Sequence, residues 1–243
     1  MKKALWTILS MLFFLSACML PVNTITVFGS GKPVSESRMV KGINRVELAA
    51  PGDLKIIQGE EEGLVITAEN NLMPHIQTTI NGSTLKIHMP ENIILIPTRK
   101  LTYILKVKRI GAIYNSSSGS VIAEKLNSPE LEVVNSSSGA IQIDNLISTR
   151  LQVKLSSSGN VSLQGQVDNQ DVLVSSSGNY FAPDLHCLNA QVNLSSSGSV
   201  FIWVVKKLNV QLSGAGKVDY YGNPEVISQI SGSGHLNSLG DHP

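Results

Sequence analysis

A motif of three serines and a glycine recurs along the chain as Asn115-Ser-Ser-Ser-Gly119, Asn135-Ser-Ser-Ser-Gly139, Leu155-Ser-Ser-Ser-Gly159, Val174-Ser-Ser-Ser-Gly178 and Leu194-Ser-Ser-Ser-Gly198. Two degenerate copies follow, Leu212-Ser-Gly-Ala-Gly216 and Ile230-Ser-Gly-Ser-Gly234. Successive glycines at the ends of these copies are 20, 20, 19, 20, 18 and 18 residues apart. A period this regular is typical of a protein built from stacked structural repeats.

Two rows of apolar residues keep the same phase as the motif. Two residues after the glycines stand Val121, Ile141, Val161, Tyr180, Val200, Val218 and Leu236. Six residues before them stand Ile113, Val133, Val153, Val172, Val192 and Val210, and then Ser228, which breaks the row. Both rows can be buried if each repeat is one coil that adds a rung, about 4.8 Å from the next, to a parallel sheet. The sequence therefore predicts an all-β, single-stranded parallel β-helix (β-solenoid) with about 18–20 residues per coil, and the general preference for right-handed crossovers predicts a right-handed one.

The turn residues fit this architecture. The seven glycines are expected at tight corners that require a positive φ angle, which glycine adopts at little cost: Gly119, Gly139, Gly159, Gly178, Gly198, Gly216 and Gly234. The serine hydroxyls can donate hydrogen bonds to the turn backbone and to the equivalent serine of a neighbouring coil. A flexible Ser-Gly linker is the alternative, but a linker would not keep two apolar rows in phase.

Residues 40–110 lack the motif and are richer in charged residues than 115–239. Six segments there are still typical of strands: Val46–Leu48, Leu54–Ile57, Leu64–Ala68, Ile76–Ile80, Thr84–His88 and Leu101–Val107. We predict one domain over 40–240, with an N-terminal β part and cap over 40–110 and the Ser-Gly coils over 111–240.

The N-terminus has the features of an export signal. Lys2 and Lys3 precede an apolar run that is too short to span a bilayer as a helix. The run ends in Leu15-Ser-Ala-Cys18, which resembles the bacterial lipobox. The resemblance implies a lipoprotein signal peptide over 1–17 and a diacylated (palmitate-type) Cys18, and Met19 at the next position implies the outer membrane rather than retention at the inner membrane. Residues 18–39 mix Pro, Gly and Ser without a period and are expected to form a flexible tether.

Composition excludes some classes of protein. The 243 residues carry 42% hydrophobic and 15% charged residues, which argues against a long disordered tail. A net charge of +1 argues against a nucleic-acid-binding protein, which normally presents a basic face.

Chemistry-bearing residues are scattered. Asp144, Asp184 and Asp219 stand at different distances after their glycines, so they are expected in different rows. His186 and Cys187 are adjacent, and adjacent strand residues point to opposite faces, so a buried structural cysteine is favoured over a nucleophilic dyad. We predict no catalytic residues, no metal site and no cofactor. The alternative is a carbohydrate-active parallel β-helix enzyme, a polysaccharide lyase or hydrolase, which would need carboxylates gathered in one groove.

One cluster stands out in a chain with only 5% aromatic residues. If the second and fourth residues after each glycine point inward, the third and fifth point outward, which places Phe181 beside Phe201 and Trp203 beside Tyr221. Contiguous exposed aromatic residues mark partner, glycan or membrane contacts. The sequence leaves two interpretations open: a binding strip, or a surface covered by the tether, a cap segment or a second subunit.

The pattern as a whole resembles a bacterial family, the head GIN domain proteins, described as auto-transporter adhesins. The resemblance rests on Ile43–Leu48, Leu54–Gly59, Thr84–Ile87 and the repeated turns, although this chain has Ser-Ser-Ser-Gly where Ser-Gly-Ser-Gly is commoner. It implies a secreted or lipid-anchored parallel β-helix of unknown function, with no catalytic motif. We expect a cell-envelope binding or structural module, held at the membrane through its lipid, with a glycan, a protein or a second copy as partner and no nucleic acid.

Overall fold

The computed structural model describes residues 24–243 and consists almost entirely of strands. The strands are β1 (Ile25–Phe28), β2 (Pro33–Arg38), β3 (Arg45–Ala49), β4 (Asp53–Gln58), β5 (Gly63–Glu69), β6 (Gln77–Asn81), β7 (Thr84–His88), β8 (Ile93–Ile96), β9 (Thr102–Val107), β10 (Ala112–Asn115), β11 (Ser120–Ala123), β12 (Leu126–Asn127), β13 (Glu130–Asn135), β14 (Ala140–Leu155), β15 (Asn160–Val174), β16 (Asn179–Leu194), β17 (Ser199–Leu212), β18 (Lys217–Tyr221), β19 (Glu225–Ile230) and β20 (His235–Ser238). A 3-10 helix spans Met73–His75. None of the helical structure in the described part is long and apolar enough to cross a membrane.

The repeats stack as parallel coils. Strands β14, β15, β16 and β17 pair with one another in chain order, each parallel to the last, and β13 pairs in the same way with β14. Val133, Val153, Val172, Val192 and Val210 are direct partners from coil to coil. The predicted all-β parallel solenoid is confirmed, with about six turns.

Both predicted apolar rows point into the core. Every member of the two rows from Ile113 to Val218 is at most 2% exposed. Only the last coil departs, because Leu236 is half-buried and Ser228 is exposed. Each fully buried Val or Ile contributes roughly 1.5–3 kcal/mol, so the stack as a whole stabilises a coil that could bury almost nothing alone.

The serine turns are joined by hydrogen bonds between coils. The hydroxyl of the middle serine donates to the backbone carbonyl of its equivalent one coil earlier: Ser137 to Ser117, Ser176 to Ser157, and Ser196 to Ser176. The first serine of the motif makes a longer hydrogen bond to the previous coil: the Ser175 hydroxyl donates to the Leu155 carbonyl oxygen at 3.4 Å. The expected role of the serines is therefore confirmed.

The expected reason for the glycines is wrong. None of the seven motif glycines is among the positive-φ glycines of the described chain. They are needed because the stacked turns approach too closely for a side chain. A Cβ on Gly178, Gly198 or Gly216 would lie 2.5 Å from the carbonyl oxygen of the motif glycine one coil earlier. The constraint is contact between coils and not the local backbone angle.

At the N-terminal end of the solenoid, the order in which the strands stack differs from their order in the chain. The coil formed by β3 and β4 pairs on one side with β10 and β11, and on the other side with β7 and β9, which come later in the chain than β3 and β4. Antiparallel strands then close this end: β5 pairs with β9, β6 with β7, and β2 with β5. The six strands expected within 40–110 are all present.

The structure corrects the tether predicted for residues 18–39. Strand β1 pairs with β8, and β2 pairs with β5 over its whole length. The loop between β1 and β2 is fixed by Glu69, which is 1% exposed and accepts hydrogen bonds from the Gly31 amide (2.5 Å) and from the Thr98 amide (2.9 Å) and hydroxyl (2.5 Å). Residues 25–38 are therefore part of the N-terminal cap. The predicted signal peptide and the lipidated Cys18 lie outside the described residues.

Candidate functional site

The four predicted aromatic residues lie together on the outer side of β16, β17 and β18, and we call them the aromatic strip. Phe181 and Phe201 are direct strand partners with ring centroids 5.5 Å apart, edge to face. Trp203 and Tyr221 are also strand partners, and the Tyr221 ring lies 5.2 Å from Phe201. Phe181 is 50% exposed, whereas the other three are half-buried. The outward positions derived from the sequence are correct for all four.

Two histidines that sequence reasoning did not place there complete the strip. The His186 ring packs edge-on against Trp203 at 4.8 Å, and the His242 ring stacks on Trp203 at 4.0 Å with an interplanar angle of 18°. His186 reaches Trp203 because the register of β16 and β17 slips between Ala182 and His186. The sequence signal for this slip was the glycine interval, which shortens from 20 residues between Gly178 and Gly198 to 18 residues between Gly198 and Gly216.

The C-terminal residues cover one part of the strip. The backbone amide of Gly222 donates to the Gly240 carbonyl at 2.8 Å, which brings the tail back along β18. His242 Nε2 then lies 3.2 Å from Asp184 Oδ1 while its ring stacks on Trp203. Phe181 is therefore open to solvent, whereas His242 of the C-terminal tail covers one face of Trp203.

The strip combines apolar rings with two carboxylates at its edge. Asp219 is the strand partner of Phe201, and its side chain is held by Lys217 at 2.7 Å and by the Asn237 amide at 3.0 Å. Asp184 is more than half exposed. Ring faces of this kind stack on flat apolar surfaces, such as sugar rings or aromatic side chains, while the carboxylates accept hydrogen bonds.

The remaining chemistry-bearing residues do not assemble into one group. Asp144 accepts a hydrogen bond from Gln142 at 2.7 Å, Asp184 is engaged by His242, and Asp219 by Lys217 and Asn237, so each carboxylate has its own separate partners. Within residues 24–243, no three histidine, cysteine or acidic side chains are grouped so that they could hold a metal ion.

Cys187 is a core residue. It is fully buried, and burial raises the pKa of its thiol to about 12, so the thiol is neutral at physiological pH. The Sγ atom lies 3.0 Å from the Asn189 carbonyl oxygen. His186 is on the outer side of the same strand, in contact with Trp203. The two residues point to opposite faces, as the sequence predicted, and do not form a dyad.

Solved structures share the fold at low sequence identity. A "putative adhesin" from Bacteroides fragilis superposes with a TM-score of 0.83 at 20% identity, covering 88% of this chain and 100% of its own. A "putative lipid binding protein" from Parabacteroides distasonis gives a TM-score of 0.76 at 23% identity, with the same coverage of both chains. A "putative adhesin" from Parabacteroides merdae gives 0.68 at 19% identity, covering 88% and 99%. No curated protein matches this chain.

Sequence comparison identifies the family. The profile described as "Putative auto-transporter adhesin, head GIN domain" matches residues 43–224, which include the N-terminal coils, the Ser-Gly repeats and the aromatic strip. The chain therefore belongs to this head GIN domain family.

Proposed function

We propose that the protein is a non-catalytic, adhesin-like binding module of the cell envelope and that the aromatic strip is its contact surface. The observation that carries this proposal is the continuous set of aromatic rings on the outside of three neighbouring coils, with Phe181 open to solvent. Rings displayed on stacked rungs present a rigid surface, so little conformational entropy is lost when a ligand stacks on them. Large apolar side chains at such a surface are costly to leave in water unless a partner covers them.

The distribution of titratable groups supports binding over catalysis. General acid-base chemistry needs two groups within reach of one substrate atom, with pKa values suited to proton transfer. Asp144, Asp184 and Asp219 each have separate partners, and the thiol of Cys187 is buried and neutral. The family description and the adhesin names of the structural relatives agree with a binding role.

We also propose that the domain is anchored through a lipid on Cys18, with the outer membrane as its location. The support is the lipobox-like sequence Leu15-Ser-Ala-Cys18 after a short apolar run. Strands β1 and β2 belong to the domain, so residues 19–24 alone would separate it from the lipid, and the domain would stand close to the membrane. The substitution C18S should abolish fatty-acid incorporation, and a variant that still incorporates fatty acid would contradict the anchor.

Trp203 provides a direct test of the strip. Trp6 and Trp203 are the two tryptophans of the chain, so in a W6F background the fluorescence reports Trp203 alone. We expect soluble envelope glycans to shift its emission to the blue and to reduce acrylamide quenching, because a sugar ring stacked on the strip excludes water. Emission and quenching that do not change over a panel of envelope glycans, at several protein concentrations, would contradict a glycan-binding strip.

Removing the covering ring sharpens this test. The variant H242A opens the face of Trp203 on which His242 stacks, so quenching without ligand should increase and glycan affinity should rise or stay the same. H235A is the matched control, because His235 is exposed on β20 and makes no ring contact with any other residue in 24–243. A loss of glycan binding in H242A alone would mean that the tail is part of the binding site and does not merely cover it.

A further inference from the structure

A second surface, on the other half of the same coils, is made almost entirely of amide and hydroxyl side chains. Outward positions of β16, β17 and β19 and of the turns after them form three aligned columns, which we call the amide face. The columns are Gln191, Asn209 and Ile227; Asn193, Gln211 and Gln229; and Ser195, Ser213 and Ser231. The coils are about 4.8 Å apart, and alternate residues of a strand about 6.6 Å apart, so the face is a regular grid.

The polar side chains of the amide face are unused by the protein. Among residues 24–243, none of the five amides or three hydroxyls in the grid has a hydrogen-bond partner, although the strands β16, β17 and β19 pair with one another through their backbones. Two serines at the same turn position in earlier coils do have one, since Ser136 and Ser175 donate to carbonyl oxygens of the previous coil. Eight adjacent side chains therefore keep their full capacity to donate and accept.

The same two strand columns are charged in the earlier coils. There Glu132 is bound by Lys154 at 2.9 Å and by the Tyr114 hydroxyl at 2.7 Å. Over the last three coils no charged side chain remains within the grid, and Asp171, Lys207 and Glu225 lie only at its border. The inward row next to the grid stays apolar through Val210 and ends at Ser228 in β19.

The amide face is shallow and lies farther along the coils than the aromatic strip. Two open grooves of about 250 and 200 Å³ run between its columns, lined in part by Gln211 and Gln229. Val200, beside the strip, and Val210, beside the amide face, are both buried in the one core. The two surfaces therefore occupy different parts of β17, the strip at Phe201 and Trp203 and the amide face at Asn209 and Gln211.

We propose that the amide face is a second binding site, for a neutral polysaccharide. An amide donates and accepts at the same time, as does a hydroxyl, and this matches the vicinal hydroxyls of an uncharged sugar. The absence of cations in the grid disfavours nucleic acids and acidic glycans, whose phosphates, carboxylates or sulfates would be desolvated without a counter-charge. A linear polymer can occupy several columns at once, so weak individual hydrogen bonds add up along the grid.

The test measures retardation of the detergent-solubilised full chain in native gels containing mannan or dextran, with alginate as the acidic comparison. We expect retardation by a neutral glycan and none by alginate. The double variant N193A/Q211A removes two central amides and should weaken the neutral interaction about tenfold, since each hydrogen bond contributes about 0.5–1.5 kcal/mol. The control N145A/Q164A removes two exposed amides outside the grid and should bind as the wild type does.

A strip variant separates this site from the proposed contact surface. F181A should reduce retardation less than N193A/Q211A does if the neutral polymer is held mainly by the amide face. If F181A abolishes retardation while N193A/Q211A does not, the amide face is not the site and the aromatic strip alone binds glycan. If no neutral glycan retards the chain, or if alginate does so equally, the proposal is overturned.

Discussion

The two ends of this solenoid close in different ways. At the N-terminal end, antiparallel strands cover the first coils, and the cap strand β5 buries Leu64 and Ile66 at 1% and 0% exposure. At the C-terminal end, β19 continues the stack on β17 and has no further strand on its other edge among residues 24–243. All six residues of β19 are exposed, including Ile230, which continues the inward column of Leu194 and Leu212.

This difference predicts which end of the solenoid is the more stable. A repeat protein gains stability from each interface between neighbouring coils, and its terminal coils have only one. The N-terminal coils compensate for the missing neighbouring coil in three ways. Antiparallel strands cover them, the buried carboxylate of Glu69 accepts hydrogen bonds from the loops around it, and β7 and β9 stack on β3 and β4. The last coil has none of these devices, and exposed strand edges of this kind are normally covered or protected by charge. We therefore expect local stability to fall from the N-terminal cap toward β19 and β20.

The largest expected effect is the contrast between a buried isoleucine in the cap and its exposed counterpart in the last coil. I66D places an unpaired carboxylate in the core and should destabilise the protein by about 4 kcal/mol or more, or prevent folding. I230D makes the same chemical change where the side chain is 44% exposed and should cost about 1 kcal/mol or less.

Urea unfolding followed by circular dichroism measures both variants. Similar midpoints for I66D and I230D would mean that the two ends contribute equally. A severe loss in I230D would show that another segment or a second molecule covers the last coil in solution.

A smaller effect is expected from methyl groups added at two glycines. In G178A the new Cβ would lie 2.5 Å from the carbonyl oxygens of Gly159 and Ser157, so the stacked turns must move apart, at a cost of about 2 kcal/mol. In G59A nothing lies within 4 Å of the new Cβ and the φ angle is not positive, so the change should be neutral or stabilise by about 0.5 kcal/mol. Thermal unfolding should rank G59A at or above the wild type and G178A below it. Equal losses would mean that coil-to-coil contact is not what requires glycine at the motif.

The glycines also show which features of the structure could be predicted from the sequence and which could not. Their spacing predicted the coil, the inward rows and the outward aromatic residues, because a parallel stack in register is a one-dimensional pattern that survives in the sequence. The reason for the glycines was wrong, since the distance between turns of neighbouring coils depends on three-dimensional stacking. The strands of residues 25–38 were missed for a related reason: their partners, β5 and β8, lie 26 or more residues away, and neither strand has a buried apolar row of its own.

The aromatic strip was predicted only in part. Phe181, Phe201, Trp203 and Tyr221 follow from the coil register, which the repeats supply. His186 depends on a slip of register within β16, and His242 depends on the course of the C-terminal tail. The tail contains no repeat, so no periodic signal could place its ring on Trp203. Bulges and irregular segments change which side chains are neighbours on the surface of a solenoid. The repeat period alone does not predict these neighbours.

The smallest and most local expected effect concerns Glu69, which fastens β1 and β2 to the N-terminal cap. The hydrogen bond from Thr98, with further ones from the amides of Gly31, Thr98 and Arg99, holds the pKa of this carboxyl below its usual range in spite of its burial. A lowered pKa in the folded state means that the stabilisation is complete above the pKa of the unfolded chain and is lost as the pH falls through the folded value. The protection factors of the amides of residues 25–38, which are the intrinsic exchange rates divided by the observed rates at the same pH, should therefore fall in acid, whereas those of β20, at the open end, should be low at every pH. E69Q should lower the protection factors of 25–38 at neutral pH and flatten their pH dependence, because the neutral amide cannot titrate and accepts weaker hydrogen bonds. E132Q is the matched control, since Glu132 also has a lowered pKa, from its hydrogen bonds with Lys154 and Tyr114, but lies on the outer side of β13. If E132Q changed exchange in 25–38 as much as E69Q did, the acid sensitivity would belong to the whole solenoid, and the N-terminal cap would have no separate fastening.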